Sequence, residues 1–487
     1  MKVGIIGCGA SGIFTAIELI NKGFNGENIT IFDKGKKIDK RKCFVTSDTP
    51  CKKCKVCSIV HGCGGAGSFS DSKLNFDTSG RVGGDMAELM TEEEITLYLK
   101  RTYEIYQQFG IDEFKSKAYG KDYTDEAKEI IQIIKENPRL DMGDCITIHL
   151  GTENSRTIYK RMLDFLEEHK VRIIDECEIV DVETNNNQNI VSYKWKHSKN
   201  YSLYEDLYEN EIFDKLVIAM GRSGNKLVKD ICKDNNIEYK NGKVDIGVRV
   251  EVPNEVMREL NENFYECKIY FKGSFGDKAR TFCQNPSGFV TVESYPYGDK
   301  KIFTANGHSY ANKKSDNTNF AILVSRNFNE DLENPLEGFV YPLINVSNSL
   351  GKGSVIMQSL KDIRLNRRST EKRIEELNII PTANVYKGDI TSVIPYRTLV
   401  TILEFIEKLN KIVPGIDGDN TLLYYPESKF HSNKVLIDKY GKSSSPNIYF
   451  IGDCSGWVHG LTTACSHGIL CAESILEGGD KYGKNEK

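Results

Sequence analysis

The chain has 487 residues, 39% of them hydrophobic and 28% charged, with a net charge of −4. That length exceeds a single core and predicts two domains, and the near-neutral balance excludes a general affinity for nucleic acid. The longest apolar stretches, such as 215–220, fall far short of the roughly 20 residues a membrane span needs, so no membrane association is expected.

The opening residues already read as a buried strand, so no secretory leader is expected and the fourteen cysteines point to a reducing cytoplasm. An apolar run at 3–7 leads into a glycine-rich turn and a helix with Ile13, Ala16, Ile17 and Ile20 on one face. A second strand follows at 29–33, then a polar loop at 34–55; residues 33–57 hold nine Lys or Arg against three Asp. Helices are predicted at 91–109 and 125–137, a strand at 144–150, and an amphipathic helix at 153–170 with Ile158, Met162 and Phe165 inward. Residues 171–220 read as a β-meander ending in a buried strand at 216–220. Further strands are expected at 245–252, 289–293 and 301–305, helices at 315–331 and 398–410, and a return to strand and helix at 447–453 and 462–476. The tail after Gly479 reads as frayed.

Gly7-Cys8-Gly9-Ala10-Ser11-Gly12 has the G-x-G-x-x-G spacing between a strand and a helix. The first glycine permits a tight turn, the second lets backbone approach a pyrophosphate, and the third lets helix pack on strand. The helix N-terminus offers free N–H groups to the phosphates. Asp33, 21 residues after Gly12 and followed by Lys34, suits the two hydroxyls of an adenosine ribose and argues against a 2′-phosphate.

The far end of the chain selects FAD over NAD. Residues 450–456 form strand, Gly452-Asp453, then small residues, and Gly460-Leu461-Thr462 opens a helix. Asp453 suits a ribitol hydroxyl, and the helix terminus suits the flavin edge that gains negative charge on reduction. A Rossmann-like FAD-binding domain built from both termini is therefore expected: residues 1–243, carrying a helical insertion at 85–140, completed by 431–487. A second, β-rich α+β substrate domain is expected at 244–430.

With Ala219-Met220-Gly221 at the end of a strand, these features resemble the p-hydroxybenzoate-hydroxylase-like superfamily of FAD enzymes. Cys51-x-x-Cys54-x-x-Cys57, Gly64-Gly65-Ala66-Gly67 with Ser70-Asp71 and Lys73-Leu74, and residues 149–152, 245–251, 280–283 and 306–309 narrow the resemblance to a family of bacterial FAD-dependent dehydrogenases. It covers the whole chain and implies fold and cofactor, but no substrate. The family pattern has glycine where this chain has Ser72, and the runs 284–288, 426–432 and 452–457 also depart from it, where a substrate pocket would be lined.

For Cys51, Cys54, Cys57 and Cys63 three readings compete: a metal or Fe–S centre, a redox-active thiol pair beside the flavin, and a reduced loop that shapes the flavin pocket. The lysines at 52, 53 and 55 would lower nearby thiol pKa values, or simply keep the loop solvated. Gly64–Gly67 would cradle the cofactor from its other side. In the second domain Arg249, Arg280, Cys283 and His308 are candidates, with Gly247 expected to leave open space beside Arg249 for a substrate carboxylate. His149 and His308 are general acid–base candidates by residue type; an ion-paired arginine or a structural histidine is the competing reading for each.

No second G-x-G-x-x-G follows a strand and opens a helix, so a dedicated NAD(P)H domain is not expected. Electrons would come from NAD(P)H at the same pocket, or from a protein or small-molecule partner. The expected function is an FAD-dependent dehydrogenase or reductase moving a hydride between a small polar or acidic substrate and flavin N5. The alternatives are a flavin monooxygenase and an electron-transfer flavoprotein with a thiolate centre.

Overall fold

A computed structural model describes every residue except 44–53, 55, 70–71, 80–82, 117, 121–122, 144, 186–187, 196–207, 265–267, 298, 310–312, 327–334, 431, 446 and 478–487. The predicted frayed tail lies outside the described residues. The chain divides into two compact units, one of residues 1–118, 145–242 and 431–487, the other of 119–144 and 243–430.

The first unit is built on a five-stranded parallel sheet in the order Ile448–Phe450, Lys215–Ile218, Val3–Ile6, Ile29–Phe32, Arg172–Ile174. Val3–Ile6, Ile29–Phe32 and Ile448–Phe450 are short, wholly buried runs, as a parallel sheet covered on both faces requires. One face packs the helices Ala10–Asn21 and Leu461–Leu476, which share a core containing Ile13, Phe14, Ile17, Cys465 and Ile469. The helices pack tightly at Gly468, where a Cβ would lie 2.3 Å from the Ser11 carbonyl oxygen. The other face carries the antiparallel meander Cys177–Asn185, Gln188–Trp195, Glu209–Phe213 and the helix Asn225–Asp234. One edge strand of the parallel sheet thus comes from the C-terminus, as expected for a discontinuous domain.

The second unit holds an eight-stranded sheet in the order Tyr386–Lys387, Ile356–Ser359, Leu422–Phe430, Val244–Pro253, Asn317–Arg326, Lys278–Asn285, Ile269–Lys272, Leu140–Met142. Phe289–Tyr297 and Lys300–His308 form a separate hairpin. The helices Asp125–Glu136 and Tyr396–Leu409 lie in the same apolar core as the large sheet.

Two expectations are corrected. The helix predicted at 315–331 is the strand Asn317–Arg326, whose first eight residues are all buried between two antiparallel neighbours. Burial on both faces removes the alternation that marks a strand, and an unbroken apolar run then reads equally as helix. The insertion at 85–140 is also divided. Glu92–Gln108 forms in the first unit behind a Thr91–Glu94 capping box. Residues 119–144 belong to the second, because Leu140–Met142 pairs with Ile269–Lys272 and Ile130 and Ile134 enter the second core.

Candidate functional site

The three glycines of the first turn do different jobs. Gly7, at φ +114°, lies so close to the Ala219 carbonyl that a Cβ would stand 2.3 Å from its oxygen, and a Cβ on Gly12 would stand 2.2 Å from the Gly7 oxygen. Both are fixed by packing inside the protein. A Cβ on Gly9 would meet nothing closer than the Gly65 Cα at 3.8 Å. The one glycine whose side-chain space the protein leaves open is therefore the one expected to face a pyrophosphate. The helix Ala10–Asn21 begins at Gly9 with no side-chain cap and no acidic residue in its first turn, leaving its N–H groups and partial positive charge for an anion.

Asp33 follows the Ile29–Phe32 strand, and its two carboxylate oxygens accept from Cys8 N–H at 3.0 Å and Gly35 N–H at 2.8 Å. Burial pushes this carboxyl above the ordinary range against those hydrogen bonds and the positive charges of Arg41 and Lys34. Lys34 reaches Ser223 at 3.4 Å in the turn after Gly221, which adopts φ +62° with open space where a side chain would start.

The C-terminal motif meets the N-terminal one directly: a Cβ on Gly452 would lie 2.6 Å from Ser11 Oγ. Asp453 accepts from Arg222 at 3.1 Å and from Ser432 at 3.3 Å, with His459 Nδ1 at 3.8 Å. Burial pushes the Asp453 carboxyl up, but His459 and Arg222 outweigh it and hold the group well below the usual carboxylate range. Leu461–Leu476 begins at Gly460, again without a side-chain cap. Just inside its start, the buried Thr462 hydroxyl has no hydrogen-bond partner among the described residues.

The glycine-rich loop closes the ring. Gly64 N–H donates to the Cys8 carbonyl at 2.8 Å, and at the other end of the loop a Cβ on Gly67 would stand 2.8 Å from the Leu461 side chain. Gly64, Gly65, Ala66 and Gly67 therefore run from the first glycine turn to the start of the last helix. Ser70, Asp71 and Cys51 lie outside the described residues.

Arg41, one of nine cations in its loop, was not distinguishable in the sequence, yet it is fully buried and organises this segment. Its guanidinium donates to the carbonyls of Ser58, Ile59 and Cys63 at 2.8–2.9 Å and to Ser68 Oγ at 2.9 Å, and lies 4.2 Å from the centre of the Phe69 ring. Burial pushes its pKa down to about 10 while Asp33 opposes the shift.

Of the proposed thiolates, Cys54 is exposed, Cys57 partly exposed and Cys63 buried. Among the described residues no three His, Cys, Asp or Glu side chains gather as a metal site.

In the second unit the candidate arginines are committed internally, which corrects their expected role as substrate ligands. Arg249 is fully buried and donates to both oxygens of Glu427, to the Cys283 carbonyl at 2.9 Å and to Asn306 at 3.1 Å. The open space expected beside it is absent, because a Cβ on Gly247 would stand 1.8 Å from the Ile322 carbonyl oxygen. Arg280 donates to Asp245 at 2.6 Å. Each guanidinium neutralises a buried carboxylate, as interior charges require. Cys283 sits at φ +49° in a bulge of its strand. His308 is exposed at the end of the hairpin, and His149 is partly exposed opposite Lys73.

No protein-family model matches this sequence, and no curated protein does. The narrower family resemblance read from the motifs thus finds no matching family. Among solved structures the chain is similar to a flavoprotein/dehydrogenase from Cytophaga hutchinsonii, at 9% identity over 98% of this chain and 79% of that one, with a TM-score of 0.38. It is also similar to p-nitrophenol 4-monooxygenase from Pseudomonas putida DLL-E4, at 8% identity over 98% and 78%, with a TM-score of 0.36. A third similarity is to CtdE in complex with FAD, at 10% identity over 98% and 84%, with a TM-score of 0.31.

Proposed function

We propose that the first unit binds FAD and that the chain is an FAD-dependent oxidoreductase acting on a small organic substrate. The observation that carries this reading is the contrast within the glycine turn: Gly7 and Gly12 are closed by the protein's own backbone, while Gly9 opens onto free space at an uncapped helix start. The backbone N–H groups of Ala10, Ser11 and Gly12 hold the pyrophosphate, and Asp33 accepts from the adenosine ribose. Asp453 accepts from the ribitol chain, kept ionised by Arg222 and His459. The uncapped start of Leu461–Leu476, with the Thr462 hydroxyl that has no partner among the described residues, serves the flavin edge. The contact between Gly452 and Ser11 favours FAD over a nicotinamide dinucleotide alone, because it sets a second binding segment beside the first. Bound FAD supplies the hydride acceptor, and NAD(P)H or a protein partner exchanges electrons with it.

Substrate specificity does not rest on Arg249 or Arg280, whose charges are already neutralised, so an acidic substrate is not required. His149 and His308 remain the proton-handling candidates by residue type.

The test is Gly9→Val. Its branched side chain fills the open space, and the variant should fold with native circular dichroism yet purify without flavin absorbance. Normal flavin content in that variant would overturn the proposal.

A further inference from the structure

Cys8 and Cys63 come from segments 55 residues apart and meet inside the cradle. Cys8 lies between Gly7 and Gly9 of the first turn; Cys63 immediately precedes the loop Gly64–Gly67. Both are buried and reduced in the same apolar core, and the Cys8 thiol lies near enough to Cys63 to raise its pKa. The backbones around them are zipped together: Gly64 N–H donates to the Cys8 carbonyl at 2.8 Å, and a Cβ on Gly65 would stand 3.0 Å from the Gly9 Cα. Arg41 holds the Cys63 carbonyl at 2.8 Å, and Cys63 N–H donates to Lys36 at 3.0 Å, so the loop residue is braced on both sides.

We propose that Cys8 and Cys63 form a reversible disulfide that fastens the two walls of the cradle and slows release of the bound dinucleotide. The effect on release rests on the FAD reading above; the thiol pair does not. A buried cysteine usually serves as a small apolar packing group. Two of them in mutual contact, one on each wall of a ligand cradle, have a further chemistry open to them. The oxidant is a low-molecular-weight disulfide. One protein thiol loses its proton and attacks it, forming a mixed disulfide and releasing one small thiolate. The second protein thiol then displaces the other. Two protein thiols and RSSR become one protein disulfide and two RSH, so atoms and electrons balance. The neighbouring Cys8 thiol and burial push the Cys63 thiol well above its ordinary pKa. The closed pair is therefore slow to react, and exchange follows opening of the loop. The product carries no charge, so burying it again costs no ionic desolvation.

The experiment treats the full-length protein with oxidised glutathione, alkylates the remaining thiols under denaturing conditions, and maps unreduced peptides by mass spectrometry. The expected result is a cross-linked pair carrying Cys8 and Cys63, abolished by a thiol reductant and by Cys63→Ala or Cys8→Ala. Flavin release from the oxidised parent should be about tenfold slower than from the reduced parent, because the cross-link removes the open states of the loop. Oxidation should leave release from either alanine variant unchanged. Alkylated Cys8 and Cys63 in a sample whose exposed Cys54 has become glutathionylated would overturn the inference, as would pairing of either cysteine elsewhere. Equal release rates from a fully cross-linked sample would overturn the role in retention. The mapping reads the thiols whether or not flavin is present, so a colourless protein counts against the FAD reading, and a yellow protein with unlinked thiols against this inference alone.

Discussion

Arg249 donates to both carboxylate oxygens of Glu427, Nε to Oε2 at 2.7 Å and Nη2 to Oε1 at 2.6 Å, across 178 residues of sequence and with neither side chain exposed. Lys429 also lies near that carboxylate, at 3.7 Å. Removing one partner of such a pair strands the other in a low-dielectric interior. Arg249→Ala should therefore cost about 3–5 kcal/mol, whereas Arg249→Met with Glu427→Leu should recover much of it. Urea unfolding of the two variants measures this; a single variant within about 1 kcal/mol of the parent would show the pair to be dispensable.

Ser72 stands where the resembled family has glycine and holds φ at 42°, a region that favours glycine. Its hydroxyl compensates, donating to the Gly67 carbonyl at 2.6 Å and lying 2.6 Å from Ser155 Oγ. Ser72→Ala keeps the strain and loses the hydrogen bonds, so a loss of about 1–3 kcal/mol is expected. Ser72→Gly relieves the strain and should stay within about 1 kcal/mol of the parent. Thermal unfolding distinguishes the two; equal losses would mean the strain is negligible.

His467 is fully buried on the last helix, its Nδ1 accepts from Gly452 N–H at 3.3 Å, and burial lowers its pKa from an ordinary 6.5 to about 4. Below 6.5 the unfolded imidazole takes up a proton that the folded one refuses until about 4, so stability falls as pH drops through that window. The loss amounts to about 3 kcal/mol at most. His467→Gln keeps an acceptor and removes the titration. Urea midpoints at pH 7 and pH 4.5 should differ less for the variant than for the parent. An equal drop in both would place the acid sensitivity in other groups.

Arg41→Lys should lower flavin affinity while the parallel sheet remains intact. A single ammonium cannot reproduce the four short hydrogen bonds that a planar guanidinium makes to Ser58, Ile59, Cys63 and Ser68. Each lost bond to a charged donor is worth about 1.5–3 kcal/mol, enough to loosen the loop carrying Gly64–Gly67. Flavin titration of the apoprotein with parallel circular dichroism checks this; unchanged affinity would separate Arg41 from the cradle.

What the sequence determined by itself was local. Gly7, Gly9 and Gly12 sit between a strand and a helix at the spacing of a tight phosphate-binding turn, and Asp33 closes the next strand. Gly452-Asp453 and Gly460 repeat the strand, turn and helix signals near the other end, so the discontinuous first unit was legible. The helices Glu92–Gln108 and Asp125–Glu136 were legible too, because each buries one face and opens on a threonine cap.

Only the tertiary structure decided which charges were free. An arginine on a strand is written the same way whether it meets a substrate or a glutamate 178 residues later, and Arg249 meets Glu427. Arg41 was hidden among the cations of its loop until the fold wrapped carbonyls around it. Asn317–Arg326 looked helical because a central strand buried on both faces carries no alternation. Local periodicity is set by neighbours along the chain, whereas pairing and double-sided burial are set by strands brought together from distant parts of it.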